Sequence, residues 1–232
     1  MLENEFLLTN DFSFVNEEFY TLEISPRQMD ILLSHGWRHF GTHFFRYSIG
    51  IYGNQVRRVI PLRIRLEDFT LSKSLRRIIK KNSDLQPIIR PVFISSEKEE
   101  LFEHHKCRFN YGIPGSIYDF LSFSPSNVPG EALEISVYRA GKLIAASFFD
   151  VSERAVSGIY AMFDTEESAR SLGIFTMLLE IEFARLNGKA FYYQGYCYEG
   201  NSFYDYKKRF RATEQFDWKG NWKNFENQNR ER

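Results

Sequence analysis

The stretch SARSLGIFTMLLEIE, residues 168–182, decides how the second half of the chain is read. An apolar run from Val156 to Phe163 and an acidic turn, Asp164 to Glu167, precede it. It then becomes a helix with Leu172, Phe175, Leu179, Phe183 and Leu186 on one face, ended by Asn187-Gly188. A glycine at the mouth of a helix after a strand often marks an anion site, because the first amides of a helix are unpaired donors. Upstream, Leu133–Arg139, the turn Ala140-Gly141, Lys142–Val151 and Val156–Phe163 read as an antiparallel meander. Downstream, Phe191–Cys197 is a strand expected to run parallel to the one before the helix. Meander, helix and parallel strand make an α+β unit with a mixed, mainly antiparallel sheet.

The first half is smaller and less regular. Residues 17–25 and 42–52 have strand composition, and Arg27–Ser34 is a short helix between Pro26 and Gly36. IPLRIRL, residues 60–66, alternates apolar and basic residues as a half-buried strand does. Ser72 to Lys81 is a capped amphipathic helix with Leu75, Ile78 and Ile79 at helical spacing. Pro87 and Pro91 interrupt the pattern, which predicts an N-terminal α/β subdomain over 1–95 and a second domain over 96–232. Glu97–Tyr111 reads as a helix, 112–131 as loop, and the tail from Asn224 as frayed.

Of the 232 residues 43% are hydrophobic and 17% aromatic, with 23 Phe and 13 Tyr, so a core can form. Thirty basic residues balance thirty acidic ones, yet cations crowd into 57–81 and again at Lys207, Lys208, Arg209 and Arg211. The two cysteines, Cys107 and Cys197, lack metal or redox spacing, which suits a reduced, cytoplasmic setting. No apolar run reaches the length of a membrane span, and Met1–Asn16 lacks the pattern of a signal peptide.

Arg170-Ser171-Leu172-Gly173-Ile174-Phe175 half-matches the acyl-CoA loop of N-acetyltransferases, but Phe175 stands where that loop needs a small residue. His35, His39 and His43 share a helical spacing that Gly36 and Gly41 contradict, so no metal site is expected. His104-His105 reads as helix surface, and no serine, histidine and carboxylate set has recognisable spacing. SKSLRRIIKK, residues 72–81, carries Lys73, Arg76, Arg77, Lys80 and Lys81 on one face, either a phosphate-binding surface or a solvated helix face. FYYQGYCYEGNSFYDYKKRF, residues 191–210, is dense in tyrosine at a strand end, either a binding cleft or an aromatic core.

Taken in order, these pieces resemble the arginyl-tRNA–protein transferases and their shorter bacterial leucyl-transferring members. GWRHFGTHFFR (36–46), FTLSKSLRRIIKKN (69–82), the strand pair 138–164, SLGIFTMLLEIEFA (171–184), YQGY (193–196) and YKKRF (206–210) carry the likeness. It implies an acetyltransferase-like catalytic half and transfer of Arg or Leu from charged tRNA to acceptor proteins beginning with Asp or Glu, the tagging step of an N-degron. It implies catalytic roles for Tyr193, Gly195, Tyr196 and Lys207, and substrate contacts from Ser171, Gly173, Gln194, Tyr206 and Arg209. Arg38, Lys73, Arg76, Arg77 and Lys80 would meet the tRNA, with Asp150 and Glu180 as possible bases. The family's N-terminal cysteine cluster has no counterpart before Cys107, so no cofactor, metal or heme is expected. An acyl-CoA-dependent N-acyltransferase, or a non-catalytic relative that binds tRNA or acidic N-termini, remains the alternative.

Overall fold

The computed structural model describes residues 13–109 and 112–225. The start of the chain, the last two residues of the helix expected to reach Tyr111 and nearly all of the tail expected to fray lie outside them. In chain order the elements are β1 (Asn16–Tyr20), α1 (Pro26–Ser34), β2 (Arg38–Phe40), β3 (His43–Tyr47), β4 (Ile49–Tyr52), β5 (Gln55–Arg65), α2 (Lys73–Lys81), β6 (Gln86–Pro91) and α3 (Ser96–Lys106). There follow β7 (Ala132–Arg139), β8 (Lys142–Val151), β9 (Ala155–Phe163), α4 (Leu172–Leu186), β10 (Phe191–Tyr198), β11 (Thr213–Phe216) and β12 (Trp222–Asn224). A 3-10 segment, Phe203–Arg209, follows β10.

The meander forms as expected, with β7 on β8 and β8 on β9, all antiparallel. It is the middle of a nine-stranded sheet ordered β12-β11-β5-β10-β9-β8-β7-β6, with β4 paired to β5. The β10–β9 pair is parallel, so the sheet is mixed and mainly antiparallel. The boundary expected at 95 falls within this sheet, which takes β5 and β6 from the chain before it. Pro87 and Pro91 do not end the pattern. They lie in β6 at the sheet's edge, where an absent N–H can face away from the ladder. A separate three-stranded sheet, β1-β3-β2, stands beside α1. Helix α1 starts at a capping box between Ser25 and Gln28.

Helix α4 supplies one side of the core. Leu172, Phe175, Leu178, Ile181 and Ala184 pack with Ile135, Val137, Phe149 and Val156 of the sheet. Leu186, expected on this face, is 78% exposed, because the buried stripe runs out through Ile181 and Ala184. On α3, Leu101 and Phe102 pack with Phe148 of β8 and Met162 of β9 in a second cluster. Ser72 caps α2 through the Leu75 amide, Leu75 is buried, and Ile79 is largely exposed rather than part of the apolar stripe. The far end of α2 is tied to the approach to α4: Lys81 Nζ donates to the Ala169 carbonyl and Asn82 Nδ2 to that of Arg170.

Candidate active site

Parallel pairing between β9 and β10 covers Phe191 to Tyr193 and then stops. On its other side β10 carries a bulge: Tyr193 faces Arg63 of β5, but Gly195 faces Leu62, so Gln194 is the extra residue. The strands separate beyond this point and open a cleft of about 650 Å³. That volume suits a small ligand rather than a bare groove. Gln194, Gly195 and Tyr196 line it from β10, Tyr160 from β9, Ser171 and Gly173 from the mouth of α4, and Tyr206 and Lys207 from the 3-10 segment.

Gly195 has φ +85°, in the left-handed region, and a Cβ there would lie 3.3 Å from Lys207 Nζ and 3.7 Å from the Arg38 guanidinium. Lys207 Nζ donates to the Tyr196 carbonyl at 3.1 Å. Burial, then the charge of Arg38, pushes Lys207 down to about 8. Arg38 is buried at the cleft floor, where it donates to Ser157 Oγ at 2.5 Å and to the Gly158 carbonyl. It therefore sits apart from the exposed α2 cations with which it was grouped. Among the described residues lining the cleft there are cations but no Asp or Glu.

Tyr193 does not face the cleft. Strand alternation turns it into a cluster with Met29, Leu33 and Phe44, where Arg63 Nη1 reaches its hydroxyl at 3.4 Å. Tyr196 lines the cleft with its ring, but its hydroxyl is spent on the Gly36 carbonyl at 2.6 Å. Arg209 is exposed and is not part of the lining. Gly173 is small for a packing reason, since the Phe163 ring lies 3.3 Å from where its Cβ would be. Phe175 is buried in the core and points away from the cleft mouth. Gln194 Nε2 donates weakly to Thr213 Oγ1 at 3.4 Å, and its Oε1 has no partner.

Neither carboxylate considered as a base lines the cleft. Asp150 Oδ2 accepts from His39 Nε2 at 2.9 Å. Glu180 lies behind Gly158 and accepts from the Tyr192 hydroxyl at 2.6 Å. Burial raises Glu180 from 4.5 to about 7, against the opposing hydrogen bond from Tyr192. Below pH 4.5 both folded and unfolded chains hold this proton, and the stability it lends is lost as pH rises through about 7. Glu180→Gln should therefore flatten the fall of Tm between pH 5 and pH 7.5; an unchanged slope in thermal melts would assign that slope elsewhere.

Other cleft residues carried no sequence signal strong enough to single them out. Tyr160 stacks on Phe120 with ring centroids 4.0 Å apart, and its buried hydroxyl has no partner. His105, expected on the surface of α3, is buried because Phe163 at the free edge of β9 needs a partner: its N–H donates to Nδ1 at 3.0 Å. Burial pushes that imidazole down to about 4. His39 and His43 pair with Asp150 and Glu18, and no group of potential metal ligands occurs among the described residues. No described helix is long and apolar enough to cross a membrane.

A mixed sheet opened beside a parallel strand pair, with a helix at its mouth, defines the fold class. The crystal structure of FemX shares it, with a TM-score of 0.52 at 10% identity over 87% of this chain and 70% of that one. The family described as arginine-tRNA-protein transferase, C terminus, matches residues 97–217. The chain belongs to this family. An aspartate/glutamate leucyltransferase of Xanthomonas oryzae pv. oryzae is 34% identical over 171 residues, 68% of this chain and 66% of that protein. One of Leptospira interrogans is 28% identical over 80% of this chain and 73% of its own length. The chain thus spans about two thirds of the first of these relatives.

Proposed function

We propose that this protein moves an amino acid from charged tRNA to the N-terminal α-amine of acceptor proteins that begin with Asp or Glu, tagging them as an N-degron pathway requires. The observation that carries this reading is the half-buried Lys207 against Gly195, in a cleft whose described lining has no acidic side chain. A half-buried ammonium without a carboxylate partner suits an acceptor that brings its own. A cationic donor side chain would find no counter-charge there, so leucine, the amino acid in the relatives' names, fits better than arginine.

The aminoacyl ester is already activated, so the protein's task is to position it. The acceptor amine, once deprotonated, attacks the ester carbonyl. The C–N amide bond forms, the C–O ester bond breaks, and the terminal ribose hydroxyl leaves with a proton. Tyr196 and Gln194 flank the aminoacyl-adenosine, and Lys207 receives the acceptor's carboxylate. Asp150 and Glu180 hold the cleft wall rather than take the proton.

On α2, Lys73, Arg76, Arg77 and Lys80 are exposed on a helix tied to the segment leading into the cleft. They supply the phosphate-binding face. By contrast Arg63 and Arg65 are engaged with Glu214 and Asp68. Arg76→Ala with Arg77→Ala should weaken charged-tRNA binding and lower the slope of log K against log salt by about two. A slope equal to that of the unaltered protein would remove α2 from the interface.

The whole reading is tested by transfer of radiolabelled leucine and, separately, arginine from charged tRNA to peptides beginning Asp, Glu or Ala. Label from leucyl-tRNA on the Asp and Glu peptides alone is expected. No label on any peptide while tRNA still binds would leave a tRNA-binding relative without this activity.

A further inference from the structure

Arg108 follows α3, with its backbone N–H on the His105 carbonyl at 3.3 Å. Its side chain lines the cleft. The guanidinium carbon lies 4.8 Å from the Phe163 ring centroid, on the β9 wall, and 5.0 Å from that of Phe203, on the opposite wall. The two walls are joined by aromatic contacts that leave the hydrogen-bonding edge of a guanidinium unspent. Of the other cations of the cleft, Arg38 is engaged with Ser157 and Gly158, and Lys207, held on the Tyr196 carbonyl, is the one assigned above to the acceptor. Among the described residues the contacts of the Arg108 guanidinium are the rings of Phe109, Phe163 and Phe203, with no carboxylate or hydrogen-bond acceptor among them. A guanidinium stacked on rings with an open edge matches a phosphodiester, which takes two parallel N–H bonds.

Its place in the fold says which phosphodiester. Lys81 and Asn82, at the end of the basic helix, hold residues 169 and 170. The next residues, Ser171 to Gly173, line the cleft, and Gly173 lies against the Phe163 ring on which Arg108 sits. Arg108 therefore marks the end of the cleft nearest α2. A strand running from α2 into the cleft passes Arg108 before its last nucleoside. The Phe203 ring, 54% exposed, offers a face for a base at the same place.

We infer that Arg108 binds the phosphodiester joining the last two nucleotides of the donor RNA, and thereby sets how deep the terminal aminoacyl-adenosine enters. This rests on the aminoacyl-tRNA reading above. The test uses two unreactive donors: 3′-leucylamido-3′-deoxyadenosine, and the same compound carrying a 5′-linked cytidine through a phosphodiester. Their Kd values are measured for the unaltered protein, Arg108→Ala and Arg108→Lys. The unaltered protein should bind the phosphodiester compound about tenfold or more tighter, as a charge-assisted contact gives. Arg108→Ala should lose most of that preference, keeping only what the cytidine base adds against Phe203, and Arg108→Lys should retain a larger part of it. Equal affinity of the unaltered protein for both, or an equal loss for both in Arg108→Ala and Arg108→Lys, would overturn the inference and leave Arg108 a strap between the walls. If neither compound binds the unaltered protein, the aminoacyl-tRNA reading of the cleft falls with it.

Discussion

Replacing Lys207 by Met is expected to lower kcat/KM for peptides beginning with Asp or Glu by about 10²–10³-fold, the effect of losing a buried charge pair at an interface. The slower use of a peptide beginning with Gln should be unchanged, since it brings no carboxylate. The same substitution should make the protein more stable. Burial and Arg38 hold Lys207 near 8, below its ordinary 10.5. Between these values the unfolded chain binds more protons, so stability rises with pH there. Below about 8 the folded protein bears the full cost of a buried ammonium. Lys207→Met should therefore raise Tm at pH 7 by roughly 2–4 °C, as a change of about 1 kcal/mol does in a chain of this size. That gain should shrink as pH climbs toward 10.5. A lower Tm together with an equal loss on all peptides would make Lys207 a structural residue.

Gly195→Ala is expected to reduce kcat by about 10²-fold with a stability loss of about 1–2 kcal/mol. The backbone at φ +85° favours glycine, and the added methyl would lie 3.3 Å from Lys207 Nζ. Lys207 must give by a few tenths of an ångström, and with it the charge that meets the acceptor. Melting curves and steady-state kinetics on the purified variant check both parts. Full kcat with lowered stability would show that the bulge serves the fold and not the chemistry.

The meander, α4 and the strand after it were legible because alternation, helical spacing and end signals agree there. Topology was less so. Sequence showed Pro87 and Pro91 as breakers, since nothing local reveals that β6 is an edge strand. Lys207, Gly195 and Gln194 were singled out through the order of the family's motifs, and the structure gathers them at one cleft. Tyr193, expected at the cleft, lies outside its lining, because a bulge one residue long decides which neighbours share a face and no local pattern announces it. His105 was read as surface because its polarity suits a solvated helix. Its burial follows from a free strand edge that only the separation of β9 from β10 creates.

Strand β5 lies between β11 and β10, which come from the far end of the chain. During synthesis the stretches of β5 that pair with β10 and β11 must wait for more than a hundred further residues, roughly 6–30 s at ribosomal rates. In that interval the apolar face carrying Leu62 and Ile64 has no partner from its own sheet other than β4. The arginines that alternate with it, Arg57, Arg63 and Arg65, keep this waiting segment charged on its other face. Charges alternating with an apolar strand face are the arrangement that keeps an unpaired segment from associating before its partners are made.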